Sequence, residues 1–254
     1  MLATIKMYIA SDDFEITYHI PSVLHGVLMS VIDSDYAQQL HMNRLNPYSM
    51  FISKNNGQWC WTVSAVGREA CEKIINVLAD DSFKEFVITH KNNARVNILK
   101  KELFTVSSSD FIASATGADN SKYIKLRFIS PTAFKSNNRY VCFPDLYLIY
   151  NSLMNKASLL SQDTSFADED TLNSLVESSR ITSYRLHTTV FNLEGIRIIG
   201  FVGTVTIKID GPSIMRSFAK MLFKAGTLLG IGIKTSLGMG AIEILDKEEG
   251  EVNE

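Results

Sequence analysis

The order in which the apolar period switches constrains this chain more than any single motif. Residues 2 to 10 alternate, with Ile5, Met7 and Ile9 set against Thr4, Lys6 and Tyr8, the period of a half-buried strand. Pro21-Ser22 opens a helix whose Val23, Leu24, Val27, Leu28 and Val31 fall on one stripe, as a core-facing helix requires. Asp33-Ser34-Asp35 breaks that stripe and offers a second N-cap, so Tyr36 to Met42 reads as a short helix ending before Asn46-Pro47. A hairpin follows: Tyr48 to Lys54, a turn at Asn55-Asn56-Gly57, then Gln58 to Val66 with Trp59, Trp61 and Val63 on one face. Gly67 to Ala79 has helical period through Ala70, Ile74, Val77 and Leu78, and Phe86 to Ile88 with Ala94 to Phe104 supply further strands. Strand, helix, strand, strand, helix, strand is the split β-α-β order of a ferredoxin-like α+β domain.

The second half repeats that order less clearly. It gives a strand at 122–130, a helix at 145–160, strands at 184–192 and 196–209, a helix at 212–228 and a last strand at 240–246. The Ser, Ala and Gly between 107 and 120 read as a connection, and acidic Asp163 to Asp170 with Ser178-Ser179 as a polar excursion. The expectation is two domains, 1–115 and 120–246, followed by an acidic tail, 247–254. No repeat exists at the level of residue identity, so the duplication concerns element order.

A chain of 254 residues is long enough to bury such cores. Hydrophobic content of 46% with 20% charged residues fits a soluble globular protein rather than a disordered one. No apolar run approaches the roughly 18 residues of a membrane span, and Met1 to Lys6 lacks the layout of a signal peptide. The expected location is therefore cytoplasmic. Cys60, Cys71 and Cys142 are scattered, odd in number and without metal-ligand spacing, as for buried thiols in a reducing compartment.

The net charge of −2 argues at first against nucleic acid, but Asp246 to Glu254 alone carries −4, leaving +2 on the body. From Asn120 to Pro144 there is no acid, while Lys122, Lys125, Arg127, Lys135 and Arg139 are present. Arg216, Lys220 and Lys224 recur every fourth residue and share one helix face. Each cluster is either a footprint for phosphates or an ordinary solvated face.

Near the end stands Gly230-Ile231-Gly232-Ile233-Lys234-Thr235-Ser236-Leu237-Gly238-Met239-Gly240. Two Gly-x-Gly pairs around a lysine and two hydroxyls let backbone N–H groups approach an anion; tight packing would use the same glycines. A Walker loop is excluded, since Ile233 precedes Lys234 and a strand, not a helix, follows. A dinucleotide fingerprint fails on context and spacing.

This glycine pattern before a last C-terminal strand resembles the signature of the RAMP superfamily of CRISPR proteins. Within it the chain is most similar to the CRISPR repeat-processing endoribonucleases, through Leu24-His25-Gly26-Val27-Leu28-Met29, Tyr36-Ala37-Gln38-Gln39-Leu40-His41 and Leu126-Arg127-Phe128-Ile129-Ser130-Pro131-Thr132 as well. The resemblance implies tandem ferredoxin-like (RRM-like) domains and cleavage of CRISPR repeat RNA in a precursor transcript. It implies no metal or cofactor, and products with 2′,3′-cyclic phosphate and 5′-hydroxyl ends. His41 matches the family's acid/base histidine. The position matching Met29 is a tyrosine that assists catalysis in one branch; methionine moves no proton, and His25, one turn away, could fill the role. The family's lysine about six residues after the histidine falls on Pro47, so Arg44, Lys54 or the second domain must supply the cation, with Tyr48 able to orient a phosphate or stack on a base.

Such a reaction needs a base for the 2′-hydroxyl, an acid for the departing 5′-oxygen and positive charge around the phosphorane, and imidazole suits both proton roles. His19, His90 and His187 are weaker candidates. The RNA contacts expected are Arg216, Lys220, Lys224, Lys125 and Arg127, with Gly232, Lys234, Ser236, Gly238 and Gly240 of the loop touching the backbone. The alternative is a non-catalytic RAMP subunit that binds RNA beside other CRISPR effector proteins; monomer and dimer are both open.

Overall fold

The computed structural model describes residues 1–115, 121–160, 165–193 and 195–245, without the side chain of His90. The acidic tail 247–254 and part of the expected polar excursion, including Asp163, lie outside the described residues. Among the described residues no helix is long and apolar enough to cross a membrane.

Strand β1 (Leu2–Ala10) is the centre of the first sheet, and its alternating burial follows the alternation in its sequence. It pairs antiparallel with β3 (Gln58–Val66) on one side and β5 (Ala94–Val106) on the other, Ile5 standing opposite both Val63 and Leu103. Strands β2 (Tyr48–Asn55) and β4 (Glu85–Ile88) close the edges in the order β2-β3-β1-β5-β4. Helices α1 (Pro21–Val31) and α2 (Ser34–Met42) cover one face. Beside them lies a composite helix, Arg68–Ala70, a π-helical Cys71–Ile75 and Asn76–Ala79. Leu24, Leu28, Trp61, Ile74 and Leu78 meet in that layer at 0% exposure.

The second sheet repeats the arrangement. β6 (Tyr123–Thr132), β9 (Ser179–Leu193), β10 (Ile196–Ile209) and β11 (Ile242–Leu245) lie in the order β11-β6-β10-β9, all antiparallel. Helices Leu146–Ala157 and Ser213–Leu229 pack on it around Phe128, Tyr150, Leu153 and Phe223. In each sheet the last strand of the βαββαβ unit lies beside the first and the third between first and second. The chain is therefore a tandem of two ferredoxin-like units. A short hairpin, β7 (Phe134–Ser136) and β8 (Arg139–Val141), turns on Asn137 and Asn138, both at positive φ.

Three stretches differ from the expectation. The expected connection 107–120 contains the helix Ser108–Ala115. Ser107 accepts from the Asp110 N–H and donates to the Asp110 carboxylate, so a capped N-terminus organises residues whose composition alone reads as loop. Likewise the acidic excursion is partly a helix start. Asp168 caps the helix Glu169–Glu177 by accepting from the Thr171 N–H, with Glu169 and Asp170 in the first turn. Strand β9 begins at Ser179, five residues before the expected 184, extending the hairpin with β10.

The two units are joined across β2. Ser49 Oγ donates to the carbonyl of Leu228 at the end of the last long helix, and the segment around Ser236 reaches the start of β2. This contact builds the site.

Candidate active site

Helices α1 and α2 meet so that His25, midway along α1, and His41, in the last turn of α2, face each other. Their ring centroids lie 6.1 Å apart at 89°. Asp33 sets this geometry by capping α2, its carboxylate accepting from the Tyr36 N–H, while Leu24, Leu28, Tyr36 and Leu40 hold the inner faces in the core. A cavity of about 140 Å³ opens between the helices, lined by His25, Met29, His41, Asn46, Tyr48 and Ser236 among others. Met29 stands one turn from His25 on the same face of α1.

The floor is Tyr48, the first residue of β2 and 1% exposed. Its hydroxyl lies 3.2 Å from His25 Nδ1, and Ser236 lines the same cavity. Burial drives the phenol's pKa well above its ordinary value, the Tyr36 ring adds to the shift, and the Ser236 side chain opposes it. The phenol therefore keeps its proton at any working pH. Nδ1 is thus the His25 ring nitrogen that faces the Tyr48 hydroxyl. Asn46 completes the wall. Its amide Nδ2 donates to Ser236 Oγ at 3.3 Å, while its buried Oδ1 has no hydrogen-bond partner among the described residues. A buried acceptor left open in a small polar cavity is suited to a donor arriving with a ligand.

Ser236 comes from the glycine-rich loop, and the structure accounts for that loop's glycines by internal packing. A Cβ on Gly232 would sit 2.3 Å from the Ala133 carbonyl, on Gly238 2.3 Å from Pro21 Cβ, and on Gly240 2.0 Å from the Ile231 carbonyl. All three have positive φ, as have Gly230 and Lys234. The approach that demands glycine is protein on protein, so the backbone of Gly232, Gly238 and Gly240 is committed inward. Lys234 and Ser236 remain half-buried beside the cavity wall.

The other expected residues divide. Arg44 is exposed in the loop between α2 and β2, flanked by the cavity residues Asn43 and Asn46. Lys54 lies six residues along β2 from Tyr48, roughly 20 Å at strand rise, and stacks over the Trp59 ring at 5.3 Å; it is not a cation of this site. Arg216 and Lys220 are not the solvent-facing stripe expected: Arg216 donates to the Gly211 carbonyl and Lys220 is 7% exposed. Lys224 is exposed and its ammonium donates to the Ser114 carbonyl at 3.0 Å. Arg127 pairs across strands with Glu243 at 2.7 Å, and Lys125 lies two residues from it on β6. His19 and His187 are exposed outside the cavity. Asn46 went unrecognised in the sequence because Asn46-Pro47 reads as a helix stop.

Comparisons with known proteins bear on the family and the fold. A family model described as CRISPR-associated endoribonuclease Cas6 matches residues 126–242. The CRISPR-associated endoribonuclease Cas6 of Streptococcus thermophilus is 33% identical over 225 residues, covering 89% of this chain and 91% of that protein. The Mycobacterium tuberculosis protein of the same description is 30% identical over 222 residues, covering 87% and 70%. Among solved structures, a Cas6 product complex superposes with a TM-score of 0.80 at 19% identity, over 96% of this chain and 99% of that one. Thermus thermophilus Cas6 superposes at 0.70 and 17%, over 96% and 98%. At those identities the structures speak for the fold.

Proposed function

Because the chain belongs to the Cas6 family of CRISPR-associated endoribonucleases, we propose that it cuts CRISPR repeat RNA by metal-independent transesterification, with His41 and His25 as its proton-transferring groups. One imidazole takes the proton of the 2′-hydroxyl as that oxygen attacks the adjacent phosphorus. The P–O5′ bond breaks, and the other imidazole delivers a proton to the departing 5′-oxygen. The products carry a 2′,3′-cyclic phosphate and a 5′-hydroxyl; no water is consumed and no cofactor takes part.

The observation that carries this reading is the pair of imidazoles 6.1 Å apart across a small polar cavity, with one ring held at Nδ1 by a buried, protonated tyrosine. That spacing leaves room for a phosphate with a nitrogen on either side. Tyr48 orients His25, Ser236 and Asn46 contact the sugar-phosphate, and Arg44 with Lys234 supplies positive charge near the phosphorane. The substrate RNA lies over the seam between the two units.

The test is a denaturing gel of repeat RNA with the purified protein and His41→Ala and His25→Ala variants, with EDTA present. Loss of cleavage in His41→Ala, with product ends of the stated chemistry, is expected. Undiminished cleavage by His41→Ala would remove it from the site, and cleavage abolished by EDTA and restored by Mg²⁺ would refute the metal-free route. Binding without any cleavage by the unaltered protein would identify a non-catalytic RNA-binding subunit instead.

A further inference from the structure

The most unusual buried group in the molecule lies behind the site. Lys156 belongs to the core helix Leu146–Ala157 and is 5% exposed, among Leu153, Met154 and Ala157. An ammonium has three N–H donors, and here all three are used: on the Gly230 carbonyl at 3.1 Å, the Gly232 carbonyl at 3.1 Å and Thr235 Oγ1 at 3.2 Å. Every partner belongs to the glycine-rich loop. Positive φ at Gly230 and Gly232 helps turn these carbonyls inward, where without a donor they would be left unpaired. The neighbouring Ser152 hydroxyl accepts from the Gly232 N–H at 2.8 Å, so one helix turn grips both polarities of the loop backbone.

The loop's other side faces the cavity. Thr235 and Ser236 are adjacent in the short 3₁₀ turn Thr235–Leu237. Fixing the Thr235 hydroxyl from behind presents the Ser236 hydroxyl to Asn46 in front. Contacts thus lead from the Lys156 ammonium to Thr235, and from the adjacent Ser236 to Asn46 in the cavity where the Tyr48 hydroxyl meets His25 Nδ1. They cross from the second unit to the first.

We propose that Lys156 is a positioning residue for RNA cleavage: its three hydrogen bonds lock the glycine-rich loop so that Ser236 and Tyr48 hold His25 in its working orientation. The inference rests on the histidine reading of the site, and extends it to a group that touches neither RNA nor either imidazole. Because Lys156 acts through orientation, losing it should slow bond breaking while leaving RNA affinity nearly unchanged.

Lys156→Met keeps the length of the stem and removes the three donors. In single-turnover assays its cleavage rate should fall on the order of tenfold to a hundredfold, the range expected of a small misplacement, while affinity for repeat RNA blocked by a 2′-deoxy group at the cut changes by less than about threefold. Hydrogen exchange at the Gly232 and Ile233 amides should accelerate. Thr235→Val, which removes one acceptor at equal volume, should show the same pattern more weakly and serves if Lys156→Met does not fold. Wild-type cleavage and loop exchange in a folded Lys156→Met would overturn the proposal. Slowed cleavage that tracks only the unfolded fraction in both variants would do so too. His41→Ala run in parallel separates the two ideas: retained cleavage there rejects the histidine site, whereas loop exchange reports on Lys156 whatever the chemistry.

Discussion

Burying Lys156 gives the protein's stability a pH dependence whose sign and size can be worked out. Burial lowers the Lys156 pKa from 10.5 to about 7, because an ammonium removed from water loses hydration that neutral oxygens replace only in part. In the unfolded chain the same lysine stays protonated up to its ordinary pKa. Between pH 7 and 10.5 the unfolded state therefore binds more protons than the folded one, and stability rises with pH across that window. The penalty is fully present below pH 7 and is relieved as pH climbs. The gap of 3.5 units corresponds to about 5 kcal/mol at about 1.4 kcal/mol per unit, and roughly half of that falls between pH 7 and 9. The three oxygens around Nζ favour the ammonium and make these upper figures. Urea denaturation of the wild type and Lys156→Met at pH 6, 7.5 and 9 isolates the effect, since other groups cancel in the difference. Relative to the variant, the wild type should gain about 1–3 kcal/mol between pH 7 and 9 and no more than a few tenths between 6 and 7. A difference that is flat with pH would refute the reasoning. Loop order should move the opposite way, because a neutral amine has two N–H donors for three oxygens.

Other consequences are simpler to measure. Gly240→Ala would place a Cβ 2.0 Å from the Ile231 carbonyl at φ +74°, so it should cost about 3 kcal/mol or more, seen as a lowered Tm. Gly26→Ala, in a helix with nothing within 4 Å of the new methyl, should raise stability by up to ~1 kcal/mol in the same melt. Tyr48→Phe keeps the packing and removes the hydroxyl between His25 and Ser236; cleavage should slow by about tenfold with little change in RNA affinity, and an unchanged rate would show that His25 needs no such support. Lys224→Glu should weaken RNA binding and flatten its salt dependence by about 0.7 in log–log slope or more if Lys224 meets a phosphate, whereas Lys220→Glu, at a position 7% exposed, should appear first as a loss of folded protein.

How much could be read in advance depended on whether the deciding contacts were local. Alternation in β1 and the apolar stripe of α1 are local, and the structure reproduces both. His25 and Met29 could be grouped by their spacing of one helical turn, and His41 joined them only through the resemblance to the family. Tyr48 could be named, but not its position between His25 and Ser236, because Ser236 arrives from 188 residues further on in the other unit. Lys156 gave no local signal: a lysine at the end of a helix reads as solvated, and only the loop folded over it, 74 to 79 residues later, turns it into a buried clamp.

The basic stripe failed for a related reason. Spacing of four places Arg216, Lys220 and Lys224 on one helix face, but spacing does not say which face meets water. In Ser213–Leu229 the residues from Ala219 to Gly226 are buried on nearly every side, Lys224 being the exception. A helix clad on most of its circumference by its own sheet, by the helix Leu146–Ala157 and by the strands of the first unit has little solvent face to give to phosphates. Lys224 there reaches the backbone oxygen of Ser114 instead, as Lys156 of the neighbouring helix reaches those of the glycine loop. In this molecule, cations that look available for RNA are partly used to fasten protein to protein, and in the proposed reaction the positive charge comes from the exposed Arg44 and the half-buried Lys234. Charge-removing variants of those two should therefore affect cleavage more than the same change at Arg216.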